Sequence, residues 1–308
     1  MTDHDLPPIE EPRRRKISAA QWTLATLIIA LACGGVLYRV LAHARLEQTA
    51  ALFIGLPAVL AALLALSPRA EGATATILKG MTIALLMSGP VLAEGFICVV
   101  MAAPLFYLVG IVVGLIIDHS RRKDRPIGLR VLILLPLLVA SMEGTTPGLT
   151  LPAREAVTVT RMVSAAPADV ERALGRAPRF DAKLPPFLRM KFPLPAAASG
   201  DGLAIGAART IHFAGGEGKP GDLLLRVTGR GPASVTFTAQ SDTSHIAHWL
   251  TWRSSHVSWR AAGDGRTEVR WTIVYDRELD PAWYFGPWER YATRLAAGYL
   301  IDTLATPR

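Results

Sequence analysis

The 308-residue chain has only two cysteines, Cys33 and Cys98, and both lie inside apolar runs. That scarcity excludes a disulfide framework and a thiolate metal cluster, and it leaves the compartment open. Charge is also scarce, at 19% of residues, and it is unevenly spread. From residue 80 to residue 117 the only charged side chain is Glu94. No continuous basic stripe exists either, because Lys and Arg cluster beside apolar runs or mix with acids. A net charge of +8 therefore does not point to nucleic acid, and none is expected as a partner. No Walker-type glycine pattern occurs, so the glycines of residues 215–221 and 229–231 read as hairpin turns.

Present instead are two unlike halves. Residues 1–150 carry 13 basic and 10 acidic residues in short clusters, whereas 151–308 carry 20 and 15 spread evenly. After a tail, residues 1–17, with Arg13, Arg14, Arg15 and Lys16, the apolar runs predict a transmembrane helical domain over 18–145. A run of about 20 apolar residues crosses a hydrocarbon layer of about 30 Å. Spans are expected at about 19–41, 49–66, 74–93, 96–117 and 129–144. A cleaved signal peptide ending near Ala42-His43-Ala44 is the alternative for the first, but that stretch exceeds a signal core. The fifth is the shortest apolar run, with Pro136 inside it, and could instead be re-entrant. With the N-terminus cytoplasmic, eleven Lys/Arg fall inside against two outside. A spanning fifth segment then puts the C-terminal half outside the cytoplasm, and a re-entrant one keeps it inside. The lipid bilayer is thus an expected partner.

Glu94 reads as a solvated turn residue beside Gly95, or alternatively as a proton, ion or headgroup site within the membrane. Gly110 and Gly114, at small-xxx-small spacing, read as helix packing.

Residues 145–152 (TTPGLTLP) have the composition of a linker, placed at 146–153, and the periodicity changes after it. Residues 155–164 alternate as a strand, and a short helix over 168–174 puts Val170 and Leu174 on one face. Five prolines make 178–200 a loop with one short helix at most. Further strands are expected at 208–213, 223–227, 234–240, 245–253, 256–261 and 267–276. In the last, Val269, Trp271, Ile273 and Tyr275 share one face. Asp280-Pro281 reads as an N-cap with proline at N1, opening a helix to about residue 305. On it Tyr284, Trp288, Tyr291, Leu295 and Tyr299 form a stripe expected to lie against the sheet.

The order of strand, helix, antiparallel strands and long closing helix over 155–305 resembles the START-like superfamily, also called SRPBCC or polyketide cyclase/dehydrase-like. The likeness rests on the opening segment from Val157 through Pro167 to Leu174, on the strand series, and on the helix after Tyr275 to Pro281. Glu171 departs from it, where an aromatic is common. The resemblance implies an α+β helix-grip domain over 154–308, with a cavity between sheet and helix, and transfers no catalytic residue. The membrane half resembles no recognised family.

Six of the seven tryptophans fall in residues 249–288. Trp249, Trp252, Trp259, Trp271, Tyr275, Tyr284, Trp288 and Tyr291 are candidates to line a cavity for a hydrophobic small molecule; core filling or contact with the membrane interface are the other readings. His212, His248 and His256 are candidate polar groups in it, with 245 and 248 facing opposite ways on a strand. No metal spacing is present, and neither a metal nor a cofactor is expected. Three functions remain open: a membrane-anchored domain binding or shielding a hydrophobic molecule such as a lipid, a cyclase-like or hydrolytic enzyme on a membrane-derived substrate, and an interaction module without ligand.

Overall fold

The computed structural model describes residues 18–41, 56–68, 70–92, 96–122, 143, 151–180, 182–190, 192–215 and 220–306. These fall into two compact units. The first holds helices α1 (Ala19–Leu41), α2 (Leu56–Leu66), α3 (Ala73–Leu92) and α4 (Phe96–Arg122), the last from Cys98 onward. Four of the expected apolar segments are therefore helical over their described residues. Glu94 and the fifth segment, but for Glu143, lie outside the described residues. Among the described residues one helix, Cys98–Ser120, is long and apolar enough to cross a membrane. The apolar stretches Ala19–Leu31 and Ala73–Ser88 are shorter.

Small side chains let the helices of this unit approach closely. Ala25, Ala58, Ala61, Ala62 and Ala65 are buried, while Leu24, Leu27, Leu60, Leu63, Phe106 and Leu115 point outward. A Cβ on Gly110 would stand 2.3 Å from Met81 Sδ, and one on Gly114 would stand 2.5 Å from Thr74 Cα, so both glycines serve α3–α4 packing. Asp118 of α4 caps α3, accepting hydrogen bonds from Ala73 N at 2.6 Å and Thr74 N at 2.9 Å. A carboxylate suits that end because it meets orphan N–H groups and the positive end of the helix dipole. Lys79 donates to the Ser67 carbonyl at 3.0 Å, past the C-terminal end of α2.

The second unit is a curled seven-stranded antiparallel sheet gripped by a helix, as the START-like resemblance implies. Its elements are β1 (Arg154–Val163), α5 (Pro167–Gly175), β2 (Leu194–Ser199), β3 (Ala208–Ala214), β4 (Gly221–Gly231), β5 (Ser234–Asp242), β6 (Leu250–Gly263), β7 (Arg266–Arg277) and α6 (Ala282–Leu300), extended by a π turn over Ile301–Ala305. Strand order is β1-β7-β6-β5-β4-β3-β2, so the first strand pairs with the last. Alternation in β7 holds: Val269, Trp271, Ile273 and Tyr275 are buried and Arg270 is exposed. The Gly263-Asp264-Gly265 turn joins β6 to β7 with all three residues at positive φ. On α5, Val170 and Leu174 are fully buried together. Glu171 pairs with Arg230, whose guanidinium lies over Trp259, 5.2 Å from the ring centroid.

Four expectations are corrected. Residues 178–200 include a strand, β2, on the sheet edge, where prolines are tolerated because one side of the ladder is free. Residues 245–248 form a 3₁₀ turn rather than a strand, opened by Ser244, whose Oγ accepts from Ile246 N at 3.3 Å. The two strands expected over 245–261 are one, β6. Pro281 is the N-cap itself, not N1, and follows a cis peptide bond; the Ala282 N–H goes to Glu143 at 3.1 Å.

Gly200 sits at φ +85°, and a Cβ there would stand 2.1 Å from the Ala208 carbonyl oxygen. Gly200→Ala must move backbone, so it is expected to cost at least about 2 kcal/mol, read as a lower midpoint in denaturant unfolding of the full chain.

Candidate functional site

The helix meets the sheet only along one flank. Its buried face carries Gly286, Glu289, Thr293, Ala297 and Gly298, small or polar residues that let it close on β1 and β7. Arg290 donates to Glu155 of β1 at 2.7 Å, and Arg161 of β1 pairs with Asp302. Over the other strands, a cavity of about 200 Å³ opens between sheet and helix.

Three layers wall it. The sheet supplies inward residues of β3 to β7, including Ile211, Leu225, Phe237, Trp252, Trp271 and Ile273. The helix supplies Ala292, Thr293, Ala296 and Tyr299, and residues 178–195 supply Phe180, Leu184, Leu188 and Phe192. Aromatic contacts hold this last layer in place. Phe187 stacks on Trp288 with centroids 6.1 Å apart and meets Tyr291 edge-on at 5.1 Å; Phe192 meets Trp249 at 5.3 Å. Tyr299 donates to the Ala182 carbonyl at 3.2 Å. Trp288, Tyr291 and Tyr299 of the α6 stripe therefore grip the proline-rich segment, not the sheet as expected.

A bulge in β6 decides which residues face inward. Trp252 pairs with Tyr275 but Ser254 pairs with Val274, so Arg253 is the extra residue. Downstream of the bulge the alternation reverses: Val257 and Trp259 are buried and His256 is exposed. Ser254 and Ser255 both reach the cavity wall, and Ser255 Oγ accepts from Trp271 Nε1 at 2.6 Å. Arg253 itself turns outward to Asp276 at 2.5 Å; Arg154 is also on Asp276, at 3.0 Å, and the two arginines hold that carboxyl below its ordinary range.

Of the eight aromatic candidates, Trp249, Trp252 and Trp271 line the cavity. Trp259 is solid core, and Tyr275 is buried beside the helix. Tyr284 packs against Phe285 at 5.0 Å, Trp288 on Phe187, and Tyr291 is half exposed. None of the three histidines lines the wall. His212 pairs with Asp222 at 2.7 Å on the outer face, His256 with Thr236 at 2.8 Å, and His248 is exposed in the 3₁₀ turn. Among the described residues no group of three or more His, Cys, Asp or Glu could hold a metal ion.

The sequence reading passed over Arg209. On β3 it alternates inward with Ile211 and Phe213, a charge in an apolar register, and that register is the signal that could have found it. It is 4% exposed, with its guanidinium 4.7 Å from the Phe237 ring centroid. Burial lowers its pKa to about 10, so it stays charged at neutral pH.

Beneath α6 lies a second buried polar group. The Glu289 carboxyl, Tyr275 Oη and Thr293 Oγ1 are buried there together, and among the described residues Arg277 Nε and Nη2 lack hydrogen-bond partners. Burial pushes Glu289 up to about 8, against the attraction of Arg277, and the nearby Glu155 adds to the rise. Burial likewise pushes Tyr275 up to about 12.

No protein-family model matches the sequence, and no curated protein does. Solved structures similar to residues of this chain include a START superfamily protein from Mycobacterium smegmatis, 14% identical, covering 49% of this chain and 94% of that chain with a TM-score of 0.34. Zhui aromatase/cyclase from Streptomyces sp. R1128 is 13% identical over 49% of this chain and 92% of that one, TM-score 0.35. Norcoclaurine synthase from Thalictrum flavum is 13% identical over 50% and 86%, TM-score 0.35. The START-like fold of the second unit stands on its own element order, strand register and sheet-to-helix cavity.

Glu289 gives a pH signature with a definite sign. The folded chain keeps its proton to about pH 8, whereas the unfolded chain releases it near the ordinary value of 4.5. Between those values unfolding releases a proton, so stability falls as pH rises, by at most about 1.4 kcal/mol per pH unit. Glu289→Gln is expected to flatten that slope in unfolding midpoints measured from pH 5 to pH 8.

Proposed function

We propose that residues 154–308 bind or shield a hydrophobic small molecule, and that helices of the first unit hold this domain at a lipid bilayer, which supplies the molecule. The observation that carries the proposal is the cavity between sheet and helix, whose wall is aromatic and aliphatic on three sides. Burying apolar surface there is worth about 0.8 kcal/mol per CH₂, which suits an acyl chain or fused rings. A cyclase-like or hydrolytic reaction is less well served, because among the described residues the wall has no imidazole or carboxylate to move a proton. A pure docking module has no use for a hollow of this kind.

The anchor is supported by the outward-facing leucines and phenylalanines of α1, α2 and α4, an apolar surface too extensive for water, and by the length of Cys98–Ser120. A five-span topology, with the N-terminus cytoplasmic and the domain outside, fits the Lys/Arg bias of the sequence. Glu94 remains a candidate turn or headgroup residue in this scheme. A lipid leaving the bilayer for such a domain stays out of water for most of its path.

Full-length protein in nanodiscs is expected to take up the neutral dye 1-N-phenylnaphthylamine with a rise in fluorescence. Ala239→Phe, which fills the cavity wall, is expected to weaken uptake by about tenfold or more while leaving the unfolding midpoint within about 1 kcal/mol. Dye uptake unchanged by this variant overturns the binding site. For topology, protease added to sealed vesicles with their cytoplasmic face inward is expected to cut within residues 151–308. Protection there until the vesicles are permeabilised overturns the external placement of the domain.

A further inference from the structure

Among the described residues, Arg209 is the charged side chain of the cavity wall. Its two hydrogen bonds to protein both leave from Nη2, to the carbonyls of Leu174 and Gly202, the latter at 3.2 Å. Carbonyl oxygens satisfy donors without neutralising a charge. Nε has no partner, and among the described residues no carboxylate bonds the guanidinium. Asp201 offsets the charge only through space. A buried cation without a paired anion is expensive, and a residue that only pinned the end of α5 would not need to line the cavity. The Phe237 ring lies against the guanidinium carbon, 4.7 Å from centroid to Cζ, and covers one side of it with an apolar face.

We infer that the ligand is an amphiphile ending in a single acidic group of the carboxylate type, whose head pairs with the unbonded part of the Arg209 guanidinium while its apolar body fills the slot. This rests on the binding function proposed above and adds the polarity of the guest. One guanidinium, partly offset by Asp201, matches a monoanion better than a dianionic head. The charge also fixes orientation: the head lies at β3, near the end of α5, and the chain runs toward Trp252 and Trp271.

Full-length protein in nanodiscs, with empty nanodiscs as the blank, is titrated with [1-¹³C]decanoic acid and with 1-decanol. The carboxyl carbon of the bound acid is followed by NMR as pH changes. In the wild type the bound acid is expected to titrate below its free value, and to bind about tenfold tighter than the alcohol. Arg209→Gln is expected to erase that preference and to raise the acid's pKa above the free value, as an apolar slot alone does. A raised pKa in the wild type, or equal binding of acid and alcohol, overturns the inference while the slot survives as a binding site. Uptake of 1-N-phenylnaphthylamine without uptake of the acid has the same meaning. Failure to take up dye, acid and alcohol alike overturns the binding function with it. If Arg209→Gln does not fold, the wild-type titration and the acid-to-alcohol ratio decide alone.

Discussion

The second unit depends on how closely α6 can approach β1 and β7. Gly286, Ala297 and Gly298 remove bulk from its buried face, and a Cβ on Gly298 would stand 2.7 Å from the Arg161 guanidinium. Close seating on one flank, with ion pairs to Glu155 and Arg161, tilts the remaining sheet away from the helix and leaves the hollow. A helix with large residues on that face would stand off evenly, and side chains would fill the interior. The buried Glu289, Thr293 and Tyr275 are a cost of the same seating. They occupy space where a fully apolar packing would be more stable, and the acid stays neutral there because burial outweighs the attraction of Arg277.

Much of this fold was legible from period and punctuation. The alternation of β7, the shared face of Val170 and Leu174, and the Gly-Asp-Gly turn each follow from local rules, and all three hold in the structure. What escaped was set by long-range geometry. No local pattern announces that Arg253 is an extra residue opposite β7, yet that one bulge decides that Trp259 packs in the core and His256 faces out. Residues 245–248, His-Ile-Ala-His, have no apolar and polar alternation of their own; they form a 3₁₀ turn opened by Ser244, and the strand begins only at Leu250. Tryptophan density identified the right region of the chain but not the right residues, since core, wall and flank draw on the same side chains. Arg209 was legible in principle, as a charge in phase with Ile211 and Phe213, but inward charges on a strand are easily read as an edge.

The first unit inverts the usual arrangement, with alanines within and leucines without. Several of its polar side chains serve helix ends. Gln21 and Lys79 both donate to the Ser67 carbonyl, at 2.7 and 3.0 Å, and Asp118 serves the first amides of α3. Orphan backbone groups there would be costly, so these side chains bridge neighbouring helices as they cap them.

The proline-rich flank of the cavity has a kinetic consequence. Residues 178–193 are secured chiefly by ring stacking and by Tyr299, with no continuous strand pairing until β2 begins at Leu194. Prising this stretch open breaks face-to-face and edge-to-face contacts worth about 1 kcal/mol each, while the amide ladders of the sheet stay intact. Local opening of this stretch would then be timed by how often Phe187 and Phe192 let go, an event far faster than unravelling the sheet behind them.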